Sequence, residues 1–193
     1  MLDSIQILAD RCPNLEKVTL LIGDIIDLTP ISILRSLNYF QVLESFFSYS
    51  NMRNVISSVG QNLVTLIMMS VYEIDISLII KCCDRLEQLS IKEGTLINSP
   101  MARSINPTLP HFHSLLILIL ENNDGGEWYV NNVKYYTRLK SLRARVMKEF
   151  NDEYFAYVIA NDGFKLLQEI DLKNCGNLSM RTVELLLLSC PKL

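Results

Sequence analysis

Apolar residues recur along this chain in a fixed phrase: a leucine, an apolar residue three positions on, and another two positions after that. The phrase stands at Leu15-Val18-Leu20, Leu43-Phe46-Ser48, Leu63-Leu66-Met68, Leu86-Leu89-Ile91, Leu115-Leu118-Leu120, Leu139-Leu142-Ala144 and Leu167-Ile170-Leu172. Leu193 would open a further copy. Successive first leucines stand 20 to 29 residues apart. The last two positions alternate at the strand period of two, so they point to one side and the residues between them to the other. Each unit therefore predicts a short strand, a turn and a returning helix or irregular segment. One unit cannot bury its own apolar faces, whereas a stack of them can.

The stretch 167–193 shows a whole cycle. Leu167-Ile170-Leu172 is the strand and residues 174–177 are the turn. Ser179 is placed to cap a helix through Val183, Leu186 and Leu187 to Cys190, where Pro191 stops it. The closing Cys190-Pro191-Lys192-Leu193 repeats Cys12-Pro13-Asn14-Leu15, and Cys83-Asp84-Arg85-Leu86 is a third joint without the proline. The apolar run Leu185 to Leu188 is expected to pack against helices on both sides.

Period and joints together resemble the cysteine-containing leucine-rich repeats of F-box and leucine-rich-repeat proteins. The resemblance implies a curved α/β solenoid of about seven repeats, with parallel strands on the concave face and helices or irregular segments on the convex face. In that family a cysteine or asparagine follows the last strand residue by three. Here that position reads Gly23, Asn51, Val71, Gly94, Asn123, Met147 and Cys175, so a hydrogen-bonded ladder there should be incomplete. Phe40, Gly60, Phe112, Tyr136 and Phe164 stand in the joints where cysteine is expected. Ile5 and Leu8 match Val183 and Leu186, so the chain reads as a single repeat domain, 1–193, cut from a longer array.

Composition narrows the function. A net charge of −3, with scattered lysines and arginines, lacks the basic footprint of a nucleic-acid binder. The longest apolar runs, such as 115–120, fall well short of the roughly 18–20 residues that cross a bilayer, so no membrane role is expected. Five cysteines, an odd number, suit reduced thiols and a cytoplasmic or nuclear location. Cys82, Cys83, His111 and His113 have zinc-ligand chemistry, but adjacent cysteines depart from the usual C-x2-4-C spacing, and Cys83 already belongs to a joint. No metal, cofactor or catalytic residue is expected, and no nucleophile, base and acid are arranged for an enzyme. The proline-rich 98–113 reads as a convex loop, and Trp128 as an anchor for the helix after it.

An array of this kind offers its concave face to partners. By alternation that face should carry Phe47, Tyr49, Ile67 and Met69 as an apolar patch. Lys92 and the pair Arg143 and Arg145 add a charged region, with Glu169 and Asp171 close enough in sequence to pair with the arginines. The weak second unit, with Ser48 at a core position, leaves room for a register slip that would exchange the two faces. The family resemblance implies a substrate-recognition role in a ubiquitin ligase receptor, reaching a cullin-RING ligase through an F-box outside this chain. A free-standing adaptor or inhibitor is the alternative, and an unrecognised enzyme a distant third.

Overall fold

The computed structural model describes residues 2–21, 27–43, 50–97, 113–124, 137–176 and 178–193. The strands are β1 (Lys17–Leu21), β2 (Tyr39–Leu43), β3 (Thr65–Met69), β4 (Ile74–Asp75), β5 (Gln88–Lys92), β6 (Leu96–Ile97), β7 (Ile117–Glu121), β8 (Ser141–Arg145) and β9 (Glu169–Lys173). Among the described residues, seven of them form one parallel sheet in the order β1-β2-β3-β5-β7-β8-β9, and β4 pairs with β6 in a small second sheet. The strands pair in register, so equivalent residues form columns. Val18, Phe40, Leu66, Leu89, Leu118, Leu142 and Ile170 make one inward column; Leu20, Val42, Met68, Ile91, Leu120, Ala144 and Leu172 make the next. Most of both columns is buried, and this is the floor of the core.

Six of the seven strands fall where the repeated phrase places them. The second does not. β2 runs from Tyr39 to Leu43, ahead of the Phe46-Ser48 pair expected to point inward, and its core residues are Phe40 and Val42, both fully buried. The unit opens on Leu37, whose amide donates to the Leu34 carbonyl at 3.2 Å. The same turn joins Leu15 to Cys12, Leu63 to Gly60, Leu86 to Cys83 and Leu193 to Cys190, at 3.0 to 3.2 Å. Phe40 is thus a strand residue and not a joint, and Asn51 lies in a helix, outside the post-strand position. The physical reason is burial: Leu37-Phe40-Val42 fills both core positions with apolar side chains, whereas the later phrase would put a serine there.

Just past the end of each strand of the large sheet from β3 onward, one residue takes a left-handed conformation. Ser70, Glu93, Asn122, Val146 and Asn174 have φ between 50° and 57°. The amides of the first four donate to the carbonyls of Lys92, Glu121, Arg145 and Lys173, at 2.8 to 2.9 Å, extending the ladder one step beyond the sheet. A β-branched side chain is strained in that region. Val146 is half exposed, so Val146→Asn, which copies Asn122 and Asn174, should raise stability by about 1 kcal/mol in urea titration.

The next column holds Val71, Gly94, Asn123, Met147 and Cys175. Asn123 is buried and spans two backbone groups: its Oδ1 accepts from Gly94 N at 2.9 Å, and its Nδ2 donates to Ile91 O at 2.8 Å. The Cys175 Sγ reaches Ala144 O at 3.1 Å. Val71 and Met147 are buried apolar residues, so the ladder is interrupted as the sequence implies. At the joints, Gly60 replaces cysteine because a Cβ there would stand 2.9 Å from Cys82 O and 3.0 Å from the Sγ of Cys83. The cysteine of the following joint already occupies that space.

The helices are α1 (Leu2–Arg11), α2 (Ser50–Val59), α3 (Ile76–Cys82), α4 (Asp152–Ala160) and α5 (Met180–Ser189). Among the described residues, three side chains cap helices: Asp75 accepts from Leu78 N, Asn151 from Tyr154 N and Ser179 from Arg181 N. α5 buries Thr182 and Leu186 and leaves Leu187 and Leu188 67% and 84% exposed, so the packing expected on both sides of this helix is not present. Among the described residues, its main helical neighbour is α4. None of the described helices is long and apolar enough to cross a membrane. Most of the proline-rich 98–113, together with His111 and Trp128, lies outside the described residues.

α4 and α5 are tied by Asp152, which accepts hydrogen bonds from the Ser179 amide, the Ser179 hydroxyl and the Thr182 hydroxyl. Those bonds, Ser179 first, hold the Asp152 carboxyl below the usual aspartate range. A carboxyl depressed in the folded state stabilises above its unfolded value, and the effect is lost as pH falls through the folded value. Acidification below the ordinary aspartate range should therefore lower the melting midpoint more steeply for the natural chain than for Asp152→Ala. Parallel slopes in scanning calorimetry would contradict this.

Candidate protein-binding face

The residues between the two buried columns point away from the core and form the open face of the sheet. Register places them in three rows. Lys17, Tyr39, Thr65, Gln88, Ile117, Ser141 and Glu169 form the first; Thr19, Gln41, Ile67, Ser90, Ile119, Arg143 and Asp171 the second. The third begins with Leu21 opposite Leu43 and continues through Met69, Lys92, Glu121, Arg145 and Lys173.

The face divides by chemistry. Over β1 to β3 the sole charge is Lys17, and Leu21, Leu43, Ile67 and Met69 give an apolar surface that is half-buried apart from Leu21, which is 68% exposed. Gln41 binds this end laterally, its Oε1 accepting from the Tyr39 hydroxyl at 2.6 Å and the Thr19 hydroxyl at 3.3 Å. Ile67 and Met69 lie where expected. Phe47 and Tyr49 lie outside the described residues, and the strand assigned to them occupies 39–43. Tyr39, Gln41 and Leu43 are the outward residues that the sequence reading missed. The signal was present, since Leu37 divides the interval from Leu15 to Leu63 more evenly than Leu43 does.

The other end is ionic. Lys92 Nζ stands 3.2 Å from a Glu121 carboxylate oxygen. Both expected arginines converge on one oxygen of Asp171: Arg145 Nη2 at 2.7 Å and Arg143 Nε at 3.2 Å. The hydrogen bond to Arg145 holds the Asp171 carboxyl below its usual range, and the same bond raises the Arg145 guanidinium. Glu169, the other carboxylate named from sequence, accepts from the Ser141 hydroxyl at 3.2 Å instead. The outward strand positions hold five cations (Lys17, Lys92, Arg143, Arg145 and Lys173) against three carboxylates (Glu121, Glu169 and Asp171), a surplus of two positive charges. The chain as a whole carries −3.

Away from this face, a cavity of about 620 Å³ opens beside the ends of α2 and α3, lined by Arg35, Ser57, Ser58, Gln61, Lys81, Cys82 and Asp84. Its cations have structural work: Arg35 donates to the Ser58 carbonyl at 3.2 Å, and Lys81 sits in the last turn of α3, where a cation complements the helix dipole. Among the described residues, no cluster of histidine, cysteine, aspartate and glutamate is arranged to hold a metal. Cys83 and Cys190 are buried in joints, and burial pushes both thiols up, which keeps them protonated and unreactive.

No family model matches the sequence, and no curated protein matches it. Solved structures do match. Among them is the crystal structure of an internalin from Listeria monocytogenes str. 4b F2365, with a TM-score of 0.62 and 18% identity, over 93% of this chain and 46% of that one. The chain thus spans about half the length of that internalin. Internalins are leucine-rich-repeat proteins, and a likeness at this identity establishes the architecture alone: a parallel-stranded α/β repeat stack of the leucine-rich-repeat type.

Proposed function

We propose that this chain is a non-enzymatic protein-binding scaffold that docks its partner on the open, concave face of the sheet. The observation that carries this reading is the apolar surface of Leu21, Leu43, Ile67 and Met69, which faces away from the core beside an ionic region. A contiguous apolar patch rimmed by polar residues has the composition of a protein-interaction surface. The cysteine joints at 12–15 and 190–193 share one turn, which supports the likeness to the substrate-recognition half of an F-box type ubiquitin ligase receptor. On that reading a cullin-RING ligase is engaged through an F-box outside this chain. Five free cysteines suit the reducing cytoplasm or nucleus.

Proximity labelling in intact cells tests both levels. The double change Ile67→Ser and Met69→Ser should remove the principal labelled proteins while leaving the melting midpoint nearly unchanged. An unaltered set of labelled proteins would overturn the docking face. A cullin adaptor among them supports the ligase role, and its absence favours a free-standing adaptor.

A further inference from the structure

We infer that the partner's docking segment is an acidic peptide, whose carboxylate binds the Arg143 and Arg145 pair and whose apolar anchor lies on Ile67 and Met69. This rests on the open face being the docking surface.

The inference comes from the charge balance around Asp171. Two guanidiniums meet at a single carboxylate oxygen, so one positive charge is left over at that point. Asp171 takes a hydrogen bond from Arg145 Nη2 and an ion pair from Arg143 Nε, while both arginine side chains stay partly open to solvent, Arg143 at 49% and Arg145 at 35%. Guanidinium groups carry their donors in a fixed planar fork that matches carboxylate geometry, so the unused edges are formed to take a second carboxylate. The surplus of two positive charges on this face, in a chain of net −3, gives the same sign over a larger area. A basic segment would meet repulsion where the arginines stand, and a wholly apolar one would leave the surplus positive charge unmatched.

Geometry sets the spacing. Ile67, Ser90, Ile119 and Arg143 are successive members of one row, so Arg143 lies three strands from Ile67. Three inter-strand steps come to about 14 Å, a distance that roughly four residues of extended chain cover. A peptide crossing the strands would then carry Asp or Glu about four positions from its apolar anchor, with Ile119 between them offering apolar contact.

Panning a displayed library of random short peptides against the whole chain tests this. Enriched sequences should share an acidic residue about four positions from a large apolar one. Resynthesis with the acid changed to its amide should weaken binding roughly tenfold by fluorescence anisotropy. Arg143→Gln with Arg145→Gln should erase the difference between acid and amide. Asp171→Asn should move affinity the other way, tightening the acidic peptide, a change that loss of folding would not produce. Peptides that lose binding on Ile67→Ser but show no preference for the acid would overturn the inference and leave the docking face standing. Peptides indifferent to Ile67→Ser and to the arginine changes would overturn both, and a library yielding no binder would overturn a linear acidic partner.

Discussion

Phe40→Ala should destabilise the protein by about 3 to 5 kcal/mol in urea titration, while Gln41→Ala one position on should stay within about 0.5 kcal/mol. The contrast follows from the strand. Phe40 is fully buried in the inward column between Val18 and Leu66, and truncating it removes a ring and leaves a cavity under the sheet. Gln41 points to the open face and touches Tyr39 and Thr19 through its side-chain oxygen. Comparable losses at both positions would mean that β2 is not where the pairing places it. The Tyr39, Gln41 and Leu43 stretch of the docking face would fall with it.

The second large effect lies in the turn column. Asn123→Ala should cost about 2 to 3 kcal/mol, because it strands a buried amide at Gly94 and a buried carbonyl at Ile91. Hydrogen exchange adds a local readout: the Gly94 amide should lose protection while Leu89 and Ile91, paired on both sides in the sheet, keep most of theirs. Asn123→Asp separates the two bonds. An ionised carboxylate still accepts from Gly94 but offers the Ile91 carbonyl no donor, so this variant should recover part of the stability as pH is lowered and the acid regains a proton. Full stability for Asn123→Ala would show that the bonds add nothing beyond what water supplies.

Much of the fold was legible because strand alternation is local: Leu66 and Met68, or Leu118 and Leu120, declare their strands within a few residues. The Ser179 cap was legible for the same reason, being a side chain bonding a backbone amide two residues away. What escaped depends on choices between near-equivalent local patterns. Leu37-Phe40-Val42 and Leu43-Phe46-Ser48 both satisfy the phrase when a polar last residue is tolerated, and burial decides between them. β4 and β6 are too short, at two residues each, to leave a periodic signal. The candidate face was half legible. Ile67, Met69, Lys92, Arg143 and Arg145 stand at outward strand positions that alternation names, yet the convergence of both arginines on Asp171, and not on Glu169, depends on side-chain reach across neighbouring strands.

The in-register stack has a mechanical consequence. Every strand of the large sheet is joined to its neighbours by the same short set of parallel hydrogen bonds, and the chain visits the strands in spatial order. Tension applied between the first strand and the last therefore runs across those bonds in series, loading each junction alike, with no pair of strands sheared lengthwise against the rest. A stack whose units touch only their neighbours yields one unit at a time under such a load. Extension would proceed as a staircase of small, similar steps, which makes the molecule a compliant spring along its stacking axis and a stiff plate across it.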